Sequence, residues 1–200
     1  MKKIIQIIKE PLYKIIVSLT IDIFLIIYYI YLGISLHDLF SLSISIYYII
    51  VSMVKVLVLV FLKLNKDDKY RKLYMILTIF MTIIDLSLIV PMFIMVFHPN
   101  DVNMGIIPSI TVATYTTYKI TVSLINLKKK KTGNKIIKFI RELSLLEAFV
   151  SVLMLQHTLI MVNGGMNSDM LILSTVSSAI IILFLFIYSI FNLIKTIKEK

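Results

Sequence analysis

Six apolar stretches, each longer than 20 residues, take up nearly all of this 200-residue chain. A helix of about 20 residues crosses a hydrocarbon core of about 30 Å. The stretches fall at 11–36, 39–64, 71–97, 104–127, 136–162 and 168–194. The chain is 59% apolar, with a mean hydropathy of +0.96, well above soluble domains. The expected fold is one all-α integral membrane domain, 1–200, built as a six-transmembrane-helix bundle. A β-barrel needs apolar and polar residues to alternate, and the run from Ile180 to Ile187 does not. Met1-Lys2-Lys3 opens the chain like a signal peptide. The apolar stretch after Pro11 is too long for one and lacks a small-residue cleavage site, so it is expected to stay as the first helix.

Charge fixes the expected orientation. Apart from Lys55 and Lys119, the remaining 19 Lys/Arg lie at the N-terminus, in the second loop, around the fourth loop and at the C-terminus. The first, third and fifth loops have none and carry Asp38, Asp101 and Asp169. Basic residues in short loops mark the cytoplasmic side, so both termini are expected there, in a multi-pass protein of the cell membrane. The net charge of +10 is then explained by topology and contact with anionic lipid, and nucleic acid is not an expected partner. The bias to Ile, Lys, Tyr and Met, with no Trp, points to an AT-rich bacterial source. There is no cysteine, hence no disulfide or thiolate chemistry.

Five charged residues lie deep within the apolar stretches, away from their ends. Asp22, Asp85 and Glu147 are spaced 63 and 62 residues apart, and Lys55 and Lys119 are 64 apart. This spacing predicts three tandem helical-hairpin repeats about an axis along the membrane normal. Counting from the outer-loop residues Asp38 and Asp101 puts Lys55 level with Asp22, and Lys119 level with Asp85. Each of the first two hairpins is therefore expected to close an Asp–Lys pair. A third copy would place Leu185 opposite Glu147. Glu147 then either shares a lysine from another hairpin, is protonated, or binds a cation. Its neutral alternative is a hydrogen bond to Tyr188, Ser189 or Asn192. Intramembrane charges are costly and mark candidate functional sites.

Hydroxyl residues line the even helices. Ser45 and Ser52 lead to Lys55, Ser109 and Thr116 lead to Lys119, and Thr175 and Ser178 follow on the last helix. At 3–4 residue spacing these form helix stripes, read either as a vestibule lining or as helix–helix glue. Three two-helix repeats resemble the plan of mitochondrial carriers. Their order of proline, then acid, then base is missing, because Pro91 follows Asp85. In size and topology the chain also resembles the substrate-binding subunits of energy-coupling-factor vitamin transporters, without their small-residue coupling motif. The histidines (His37, His98, His157) are not expected to bind metal, and nothing matches HExxH, a P-loop or a Gly-x-Ser-x-Gly elbow. No catalytic residue, metal or cofactor is expected. Two functions remain. One is a small transporter or permease subunit using Asp22, Lys55, Asp85, Lys119 and Glu147. The other is a non-transporting accessory, assembly or immunity protein that binds another membrane protein or a second copy of itself.

Overall fold

The computed structural model describes residues 2–64, 70–97, 106–128, 135–162 and 168–198. The described residues form helices joined by two tight turns, with no strand among them. The helices are α1 (Lys2–Ser35), α2 (Leu39–Leu64), α3 (Tyr70–Ser87), α4 (Ile89–Phe97), α5 (Ile106–Lys128), α6 (Lys135–Val162) and α7 (Ser168–Lys198). Asp101 and His98, expected in an outer loop, residues 163–167 and most of the expected basic second and fourth loops lie outside the described residues.

Five segments are long and apolar enough to cross a membrane: Leu12–Ser35, Leu39–Val60, Tyr74–Met95, Ile136–Val162 and Ile172–Lys198. The chain is a multi-pass membrane protein on that ground. The expected count of six is reduced by α5. That helix carries Thr111, Thr114, Thr116, Thr117 and Thr121 around Lys119, which dilute its apolarity. Four of these hydroxyls fold back onto their own helix, as in Thr114 to the Ile110 carbonyl at 2.8 Å and Thr121 to the Thr117 carbonyl at 2.8 Å.

The expected helix 71–97 is two helices with a break at Leu88. Pro91 has no N–H to offer the Ser87 carbonyl, and its ring opposes a continuous helix there. The Leu88 N–H bonds back only three residues, to the Asp85 carbonyl at 3.2 Å. The Ser87 hydroxyl bonds to the Ile84 carbonyl at 2.7 Å. The break therefore begins three residues after a buried acid.

Polarity is arranged as lipid demands. Phe24, Ile107 and Leu173 are 70–78% exposed on the outside, while Asp22, Lys55, Lys119 and Glu147 are buried within. With no water in the bilayer core, polar groups must find partners inside the bundle. A core of Tyr29, Tyr47, Tyr48, Ile84, Phe139 and Met154 surrounds them.

Packing departs from three sequential hairpins. α1 packs on α2, as expected, but α5 packs chiefly on α6, and α3 packs chiefly on α7. The α1–α2 turn is a helix-ending motif with His37 at φ 52°. The Asp38 N–H reaches the Gly33 carbonyl at 3.1 Å and the Leu36 N–H reaches the Leu32 carbonyl at 2.9 Å, the pattern of a left-handed helix cap. Gly33 admits Leu42 of α2, whose side chain would lie 2.5 Å from an added Cβ.

Candidate functional site

Four of the five expected charges meet in one buried cluster. α1 supplies Asp22, α2 supplies Lys55, α5 supplies Lys119 and α6 supplies Glu147. Lys55 bridges Asp22 Oδ2 and Glu147 Oε1. Lys119 Nζ lies 2.6 Å from Glu147 Oε2 and 3.3 Å from Asp22 Oδ1. The contacts close a ring in which both oxygens of each acid face a different lysine.

Ser18, one turn before Asp22 on the same face of α1, completes the cluster. Its Oγ lies 2.8 Å from Lys55 Nζ and 3.3 Å from Lys119 Nζ. Each ammonium has three donors, and each is thereby matched to two carboxylates and one hydroxyl. Lys119 also sits 5.4 Å from the centroid of the Tyr115 ring, within cation–π range. Two acids and two lysines sum to zero charge. Such a set, hydrogen-bonded on every side, is the form in which buried ions are tolerable.

Asp85 is not part of it. The expected Lys119–Asp85 pair does not form, because α5 lies against α6 rather than α3. Glu147 is likewise not the acid left without a lysine, since it holds two. Tyr188, Ser189 and Asn192, expected as its neutral neighbours, face Asp85 instead. They share with Thr78, Glu142 and Leu185 a cavity of about 10 Å³ between α3, α6 and α7, room for one water. Asp85 is 2% exposed, and its Oδ1 has no hydrogen-bond partner among the described residues. Lys138 Nζ stands 3.4 Å from Glu142 Oε1.

The hydroxyl stripes are mostly satisfied locally. Ser45 donates to the Leu42 carbonyl at 2.6 Å, and Ser109 to the Ile106 carbonyl at 2.7 Å. Thr116 stitches α5 to α6 through the Ser151 carbonyl at 2.8 Å. Ser178 is buried, and Ser52 and Thr175 are half-buried. Above the charge cluster, Tyr115 donates to the Tyr48 hydroxyl at 3.0 Å.

At the α1–α2 turn, Asp38 caps α2, accepting from the Phe40 and Ser41 amides at 3.2 and 3.1 Å. His157 of α6 stacks on Phe40 with centroids 3.7 Å apart and lies 3.6 Å from Asp38. Burial pushes the Asp38 carboxyl up, but His157 and the Ser41 hydroxyl and amide outweigh burial and hold it below its ordinary range. A lowered carboxyl contributes stability above its unfolded pKa and loses it as pH falls. Asp38→Ala is therefore expected to cost about 0.5–2 kcal/mol at neutral pH, as for a lost N-cap. Thermal unfolding in detergent should show that deficit closing below about pH 4. A deficit independent of pH would remove the electrostatic part of this account.

Sequence inspection passed over Ser18, Glu142 and the role of His157. The spacing of Ser18 to Asp22 was a usable signal. Glu142 carried none, because it lies next to Arg141 in what reads as a basic helix start. No protein family, curated protein or solved structure matches the chain, so the chemistry rests on its own geometry. Among the described residues no three His, Cys, Asp or Glu side chains come together as metal ligands do.

Proposed function

We propose that this chain is a small solute or ion transporter, or a permease subunit, of the cell membrane. One observation carries the proposal: a membrane-crossing segment broken at Leu88, three residues from a buried acid that has no cation partner among the described residues. Broken helices at membrane depth are tolerated where they serve an internal site, and transporters place ion sites at such breaks. The neutral ring of Asp22, Lys55, Lys119 and Glu147 is then the fixed scaffold beside which α3 and α4 move.

This reading includes α5 as a sixth crossing. Its 23 residues extend about 34 Å as a helix, its outward threonines are bonded to its own backbone, and Lys119 is buried among three crossing helices. It also keeps both termini cytoplasmic. Cysteine substituted at exposed His37, or at 101 and 167, is expected to react with an impermeant reagent from outside. Cysteine at 67 and 131 is expected to react only after the membrane is opened. Cytoplasmic labelling at 37 would reverse the topology.

The proposal is tested by flux. Purified protein in liposomes, under an imposed potassium diffusion potential, is expected to pass protons or sodium faster than empty liposomes. Stable, correctly inserted protein that passes neither ion sinks the transport reading. A second reading, an accessory, assembly or immunity factor, is favoured by one feature. An outward apolar groove of about 590 Å³ runs along α7 between Ile180, Leu183, Phe184, Ile187 and Phe191. On that reading flux is absent and the chain is isolated with a membrane partner.

A further inference from the structure

We infer that Asp85, with Thr78, Glu142, Ser189 and Asn192 around it, forms a site for one small monovalent cation, either a proton or an ion of sodium size. The inference deepens the transport reading by naming the species handled at the break in the third crossing.

Geometry sets the size. A cavity of about 10 Å³ admits a single water-sized occupant, not an organic solute or a hydrated ion. Chemistry sets the class. Carboxylate, hydroxyl and amide oxygens are ligands for hard cations. Charge sets the valence. Lys138, 3.4 Å away, and exposed Lys195 both answer the charge of Glu142, and among the described residues no cation answers that of Asp85, leaving one negative charge there. No titratable residue lies on α4. From α2 the titratable group acting on Asp85's surroundings is Tyr47, and from α7 it is Tyr188. Lys195 of α7 reaches Glu142 electrostatically from an exposed position.

Partner accounting points the same way. Asp85 is buried, lines the cavity, and has an oxygen without a hydrogen-bond partner. Ser189, its neighbour across the cavity, keeps its Oγ 3.3 Å from Thr82 Oγ1. A carboxylate with one oxygen unbonded and no cation partner among the described residues is costly at this depth, and a bound proton or cation removes that cost. The α3 break supplies the second ingredient. The last carbonyls of α3 stop being bonded in α-helical register just beyond Asp85, as at the half-helix ends that hold cations in transporters.

The test is a binding readout that needs no transport. Wild type and Asp85→Asn, purified in detergent, are unfolded thermally across pH, in sodium chloride and in choline chloride of equal ionic strength. If the occupant is a proton, the native state binds one more proton than the unfolded chain, and stability falls as pH rises. The wild-type Tm should then decline with pH relative to that of Asp85→Asn, with no response to sodium. If the occupant is sodium, its chloride should raise the wild-type Tm at alkaline pH, choline should not, and Asp85→Asn should lose the shift. Ser189→Ala, which keeps the carboxyl, is expected to weaken either response and stands in if Asp85→Asn does not fold. Identical responses in wild type and variants, or no response in wild type, overturn the site. Binding without liposome flux would retain the site and sink transport. Flux unaffected by Asp85→Asn would retain transport and sink the site.

Discussion

Replacing Lys119 by Leu is expected to destabilise the protein by about 3–5 kcal/mol, the cost of breaking a buried ion pair from one side. The substitution leaves Asp22 and Glu147 facing a single lysine, with both 0–3% exposed at the side chain. It also removes the cation over the Tyr115 ring. A second substitution decides which acid Lys119 serves. Lys119→Leu combined with Glu147→Gln restores a neutral ring of one acid and one lysine, and should recover much of the loss. Lys119→Leu combined with Asp85→Asn should show no coupling, because the two groups lie in different centres. Thermal or denaturant unfolding in detergent measures both cycles. Coupling to Asp85 rather than to Glu147 would contradict the packing of α5 on α6.

That contrast marks where the sequence was informative and where it was not. Five apolar crossings and the burial of the five charges follow from composition and length, because hydrocarbon tolerates little else. The Asp22–Lys55 contact follows from counting along one hairpin, since a tight turn fixes the level of two antiparallel helices. Beyond the first hairpin the counting loses force. Depth is readable from distance to a loop, but which helices lie side by side is decided by side-chain fit across the bundle. Lys119 and Asp85 count to the same depth from the loop between them and have different neighbours for that reason. The break at Leu88 was half legible. Pro91 cannot donate to a helix wherever it stands, whereas its effect on the helix just beyond Asp85 depended on how α4 packs on α2 and α7. The α7 residues Ser189 and Asn192, expected beside Glu147, line the cavity at Asp85 instead.

Glu147→Gln is expected to be the most damaging single conservative change in the protein, with a stability loss of about 3–5 kcal/mol. Gln keeps the shape of Glu, so the loss isolates charge. Glu147, like Asp22, faces α2 and α5 together, and it holds Lys119 more closely, at 2.6 Å against 3.3 Å. Its neutralisation leaves two lysines against Asp22. The rule beneath this is parity. Variants that keep the ring neutral, such as Glu147→Gln with Lys55→Met, should be more stable than either of their single changes. Glu147→Gln with Asp22→Asn removes both acids, leaves two lysines uncompensated, and should be worse than either acid change alone. Asp85→Asn, an equally conservative change in a buried acid, strands no lysine among the described residues and should leave the fold intact in detergent at neutral pH. Thermal unfolding of these six variants orders the two centres without reference to any activity. If Glu147→Gln proves as harmless as Asp85→Asn, the ring is not what holds α1, α2, α5 and α6 together. Glu147 would then return as the acid on which charge movement turns.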